Sequence, residues 1–93
     1  MEKFSWDGVE AWAGELDLFG VKILLIRTGR GALGCGYLNR AAAEKFGHAL
    51  AIVSGVASYE EMLDAPVKAV SPAAAALGVA PGDPGREALK KMR

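Results

Sequence analysis

The stretch that most constrains the fold is residues 21–39, VKILLIRTGRGALGCGYLN. Four consecutive apolar residues, Ile23 to Ile26, run into a glycine-punctuated turn at residues 28–31. An unbroken apolar run of this length, bounded by turn residues, suits a strand with both faces covered. The chain then returns through Leu33 to its single cysteine, Cys35, and reaches Asn39, a residue type that caps helices. Two central strands feeding a helix are therefore expected, with the one thiol near their junction. Gly34 and Gly36 in the second strand mark close backbone approach or a bulge.

Upstream, residues 4–19 read as a hairpin. Asp7-Gly8 is a favoured two-residue turn, because both of its central positions want positive φ. Beyond it Val9, Ala11 and Ala13 alternate with polar or bulky neighbours, whereas Leu16 and Leu18 carry the apolar character onto the other parity. A switch at Ala13-Gly14 predicts a bulge or kink there. Phe19-Gly20 turns the chain into the next strand.

Downstream, residues 40–46 are expected to form a helix with Gly47 at the position that follows its end, and HALAIV at residues 48–53 the next strand. Ser58-Tyr59-Glu60-Glu61 is a capping box opening a short helix that ends before Pro66. VKAV at residues 67–70 is extended. Ser71-Pro72 and Asp83-Pro84 each present a cap followed by proline, predicting two further helices. Strands come first and helices later, with one strand between helices. The expected class is α+β: N-terminal antiparallel hairpins, a mixed sheet with one later strand, and three to four short helices packed on it.

A chain of 93 residues makes one domain, residues 1–93, here read as a β hairpin (1–20) joined to an α+β core (21–93). Apolar residues make up 52% of it. So small a domain leaves much of its surface exposed, so that content predicts burial against another copy through the hairpin, with Trp6 and Trp12 as interface candidates. Capping of the domain's own core is the competing use of the two indoles. Formal net charge is zero, against a general nucleic-acid binder held by phosphate contacts. The charge is uneven along the chain: Glu2, Asp7, Glu10, Glu15 and Asp17 against Lys3 give −4 in residues 1–20. Lys22, Arg27, Arg30, Arg40 and Lys45 against Glu44 give +4 in residues 21–48. No run reaches the roughly 18 apolar residues of a membrane helix, and no secretory signal pattern is present, so a soluble cytoplasmic protein is expected.

The chemistry-bearing residues are few. Residues 29–34, GRGALG, match GxGxxG, but no helix opens within the glycines and no carboxylate lies where a ribose-binding acid would be sought, so a dinucleotide site is rejected. Cys35, near an expected helix start and among Arg30 and Arg40, has surroundings that favour a thiolate; it also fits a core stripe with Leu33 and Tyr37. His48, the one histidine, is a candidate partner for it, or an exposed strand-edge residue. Arg40 and Arg86 are candidates for holding an anionic ligand. Arg86 sits in a helix's first turn, where the macrodipole disfavours a cation, and pairing with Asp83 or Glu87 would explain it more simply. No metal-ligand spacing is present and no cofactor is expected.

Three blocks then stand out: CGYLN at residues 35–39, VSGVASYEEMLDAPV at residues 53–67, and GREALKKM at residues 85–92. In this order and spacing the chain resembles the YunC-like family of small bacterial and archaeal proteins of unknown function. The resemblance spans residues 21–92 and implies an α+β domain whose N-terminal β region associates with other copies as a tetramer. One departure is plain. The family's last block carries a methionine and a hydroxyl residue where Asp83 and Pro84 stand here; Asp83 can take over the capping, but a ligand role for that hydroxyl does not transfer. The resemblance supplies no reaction. The first reading is therefore a homo-oligomeric structural or interaction module, and the second a small-molecule enzyme or sensor using Cys35.

Overall fold

The computed structural model describes residues 2–6, 8–35, 45 and 47–93. Among them six strands form a single sheet in chain order: β1 (Glu2–Trp6), β2 (Val9–Leu18), β3 (Val21–Arg27), β4 (Ala32–Gly34), β5 (Leu50–Ile52) and β6 (Ala69–Val70). Neighbours pair antiparallel except β4 and β5, which are parallel. That parallel pair requires a crossover, and the intervening residues 36–46, with the helix expected at 40–46 and Arg40 on it, lie almost wholly outside the described residues. Gly47, at the far end, has φ +71°, the left-handed conformation of a residue that follows a helix. Three short helices complete the described fold: α1 (Tyr59–Asp64), α2 (Pro72–Ala76) and α3 (Gly85–Lys91). The architecture is α+β with a mixed sheet, and β3 and β4 are its two middle strands.

Directly paired residues share a face of a sheet, so the register assigns the core. Val9, Ala11 and Ala13 on β2, Leu24 and Ile26 on β3, Leu33 on β4 and Ala51 on β5 are all buried on one face. Met62 of α1 and Ala88, Leu89 and Met92 at α3 belong to the same cluster. The opposite face carries Trp12, Ile23 and Leu25 half-exposed and Leu16 at 60% exposure. The prediction of a strand sealed on both sides is thus half met: β3 is closed on one face and partly open on the other.

The bulge expected at Ala13-Gly14 is absent. Pairing runs without a slip from Trp12↔Arg27 to Leu18↔Val21. The parity switch has another cause: β2 is ten residues long and runs past the buried core, whose last member on this strand is Ala13. Its core-side positions past Ala13 become Glu15 and Asp17, both exposed, while Leu16 faces out on the other side.

The caps follow the sequence in two cases and depart in the third. Ser58 accepts from the Glu61 N–H at 3.1 Å and opens α1. Ser71 opens α2 and does more than cap: its fully buried hydroxyl accepts from the Ala74 and Leu50 N–H groups and donates to the His48 carbonyl at 2.7 Å. One hydroxyl so joins a helix start to β5, satisfying groups that burial would otherwise penalise. Asp83 does not cap α3. That position falls to Pro84, which has no side-chain bond to offer, and Asp83 turns instead to the Ala80 N–H and the Lys91 ammonium. Residues 65–67 and 82–85 zip together through Val67 N–H to Asp83 O, Gly82 N–H to Val67 O and Gly85 N–H to Ala65 O. This draws α3 so tightly onto α1 that a Cβ at Gly85 would lie 2.0 Å from the Met62 carbonyl oxygen.

Candidate functional site

The β2–β3 ribbon has two ends of different character. At the inner end, the turn after β3 is locked to the C-terminus of α3. Thr28, buried, donates its hydroxyl to the Met92 carbonyl at 2.8 Å, and the Arg30 N–H reaches the same carbonyl at 2.9 Å. The Arg30 guanidinium donates to the carbonyls of Arg93 (2.7 Å) and Lys91 (3.3 Å). A helix C-terminus leaves carbonyls without intrahelical donors, and a cation there also suits the dipole. Of the glycines of GRGALG, Gly31 is required by packing, since a Cβ there would fall 2.5 Å from the Met92 sulfur. No dinucleotide turn is needed to account for it.

Cys35 continues the β3–β4 pairing by one residue. Its N–H donates to the Leu24 carbonyl at 3.1 Å, and its sulfur accepts from the Leu24 N–H at 3.4 Å. The side chain is 6% exposed and lies within the apolar core. His48 is exposed at the approach to β5, where its carbonyl is held by Ser71.

Arg86 is half-buried and pairs with Asp64 rather than with Asp83 or Glu87. The reason is electrostatic. Arg86 begins α3 and Asp64 ends α1, so each opposes its own helix dipole and each neutralises the other. Asp83 is taken by Lys91 at 2.8 Å and Glu87 by Lys90 at 3.7 Å. The Lys91 bond and the Ala80 N–H hold the Asp83 carboxyl below its ordinary value. Tyr59, at the start of α1, is shifted upward by burial and by the carboxylates of Glu15 and Glu2.

Trp12 lies half-buried on the outer face opposite Arg27, whose guanidinium carbon stands 5.7 Å from the indole centroid. The Trp6 side chain lies outside the described part of the structure, as does Arg40. The candidate residues thus do not converge: Cys35 is in the core, Arg86 between two helices, His48 and Trp12 on the surface. Among the described residues no cluster of histidine, cysteine or carboxylate side chains is arranged to hold a metal ion. No described helix is long and apolar enough to cross a membrane.

At the outer end of the ribbon, β2 and β3 are joined by Phe19 and Gly20, at φ +53° and +85°. Positive φ at both central residues is the hairpin turn that glycine and asparagine favour. Phenylalanine there costs roughly 1 kcal/mol of backbone strain, and its side chain is 98% exposed. Asp17 supports the turn by accepting from the Gly20 N–H at 2.9 Å. Glu15 and Lys22 approach to 3.9 Å across the strands, an exposed pair of small worth. Phe19 and Leu16 were not singled out from sequence. The available signal was the parity switch at Ala13-Gly14, which marks where the strand leaves its core.

Residues 34–92 match the family model described as a domain of unknown function, DUF1805. The chain belongs to this family. The matched span runs from the end of β4 through α3, so the whole of the ribbon lies before it. A solved structure extends the likeness to the ribbon: a protein of unknown function, TA1206 from Thermoplasma acidophilum, superposes with a TM-score of 0.93 at 30% identity. The alignment covers 99% of this chain and 90% of that one. No curated protein matches the sequence. The DUF1805 fold is therefore established for the chain as an α+β domain, and the family carries no reaction with it.

Proposed function

We propose that this DUF1805 domain is a homo-oligomeric interaction module whose copies meet through the outer end and outer face of the β2–β3 ribbon. The observation that carries the reading is Phe19: a fully exposed aromatic held in a conformation its own backbone disfavours. Within the described residues the turn is supported by the Asp17 carboxylate, while the Phe19 ring itself stays in water; burial against a second copy would offset the strain. Leu16 at 60% exposure and the half-exposed Ile23, Leu25 and Trp12 continue the apolar surface from the turn along the outer face. A two-fold contact on this face would set like against like and close on itself. The resemblance to YunC-like proteins favours a tetramer, with Trp6 beside Trp12 in the contact. A single unpaired thiol suits a reducing cytoplasm.

Placing a carboxylate on this apolar surface tests the contact. Leu16→Glu should reduce the solution mass measured by light scattering, and Trp12→Glu should do the same if the contact extends that far. A Leu16→Glu protein with unaltered mass would defeat the proposed contact. The alternative of an enzyme or sensor built on Cys35 draws no support from a thiol buried in the core and serving as acceptor to a strand N–H. A chromogenic disulfide should react with native Cys35 much more slowly than with the unfolded chain. Rapid reaction of the native protein would restore that alternative.

A further inference from the structure

A cleft of about 470 Å³ opens on the other end of the ribbon, where the β3–β4 turn meets the chain approaching β5. Arg27, Gly29, Gly31, Gly47 and His48 line it, and no carboxylate is among its described lining residues. We propose that this cleft binds a small phosphate-bearing anion, with the Arg27 guanidinium as its charged anchor and turn amides as neutral donors.

Three observations converge. Arg27 has no carboxylate partner among the described residues; its guanidinium instead lies over the Trp12 ring. Contact through the ring face restricts the planar group and leaves its edge N–H donors for a ligand. The turn supplies the second element. Thr28, Arg30 and Ala32 donate their N–H groups to Gly31, Met92 and Ala49 carbonyls, while those of the alternating residues Gly29 and Gly31 donate to no described acceptor. Gly29 is exposed, so an anion can approach its amide without a side chain in the way, while Gly31, packed against Met92 on one side, is half-buried. The third is rigidity. The same turn is tied to α3 through Thr28 and Arg30, so the donors need little ordering on binding. Arg30 itself is not counted as a ligand group, since its donors go to α3 carbonyls. A phosphate group, with several acceptor oxygens, can use a guanidinium edge and turn amides together, which a single carboxylate does less fully. This site differs from a dinucleotide turn, since no helix opens within its glycines; because Leu25 of its lining also lies on the face proposed for self-association, the titration below is repeated on the Leu16→Glu protein.

The test is a titration of the ¹⁵N-labelled full chain at constant ionic strength, followed by amide shifts. Inorganic phosphate or glycerol 3-phosphate should give saturable shifts centred on Gly29, Gly31 and His48. Tighter binding of the ester would indicate a phosphorylated metabolite as ligand, and equal binding the free ion. Arg27→Gln should weaken binding about tenfold or more, the loss of a charge-assisted bond, while Lys68→Gln at an exposed site elsewhere should not. Arg27→Lys, which keeps the charge but loses the fork, should fall between. Shifts that fail to saturate, an equal response to acetate or chloride, or unchanged affinity in both Arg27 variants would overturn the proposal.

Discussion

The two ends of β3 lie about 20 Å apart, six residues at strand rise, and they solve opposite problems. At the Arg27 end the chain is closed. Thr28 and Arg30 answer the carbonyls that end α3, Met92 seals over Gly31, and one buried hydroxyl on Ser71 joins α2 to β5. At the Val21 end the ribbon has left its core: Glu15 and Asp17 occupy core-side positions, Leu16 faces water, and Phe19 stands exposed on a strained turn. Stability of the single subunit therefore resides at the closed end. The open end carries features that cost the subunit stability, an exposed aromatic and a left-handed turn, set against one supporting bond from Asp17.

The sharpest way to break this contrast is Gly85→Ala. A methyl group placed 2.0 Å from the Met62 carbonyl forces α3 away from α1, and a loss of about 3 kcal/mol or more is expected in denaturant unfolding. A near-neutral result would show that the closed end is not close-packed. At the open end the expected effect is smaller and opposite in sign. Phe19→Asn relieves the left-handed strain and should raise subunit stability by about 0.5–1 kcal/mol while weakening association. A variant that destabilises the isolated subunit would mean that Phe19 is held by internal contacts.

The smallest effect concerns pH. The Asp83 carboxyl is held below the usual carboxylate range chiefly by its bond to Lys91, then by the Ala80 N–H. A depressed carboxyl contributes stability that is complete above the unfolded value and is lost as pH falls through the folded one. Asp83→Asn should thus be less stable than the native protein at neutral pH, with the difference closing in strongly acidic solution. A gap that persists undiminished there would assign the effect to something other than this charge.

Much of the closed end is readable in the residues themselves. Gly8, Ser58 with Glu61, and Ser71-Pro72 are local signals, each a side chain or φ preference acting within three residues, and each marks the turn or cap observed. What failed depended on distant partners. Asp83 has the sequence neighbours of a cap, yet an ammonium eight residues away draws it elsewhere. Arg86 has two acidic neighbours in sequence and takes a third, Asp64, because α1 ends where α3 begins. The Ala13-Gly14 parity switch was legible, but its meaning depends on where the core ends along β2, which no local pattern encodes. The clefts and the Arg27–Trp12 pair arise from register, and Arg27 in isolation looks only like the end of a strand.

Whether the outer end of the ribbon is covered in solution is the decisive question. Light scattering of the native chain at micromolar concentration measures this directly. The mass predicted is a multiple of the 9.7 kDa subunit, four-fold for the tetramer implied by the family resemblance. A monodisperse species at 9.7 kDa, with Phe19 and Leu16 left in water, would contradict it.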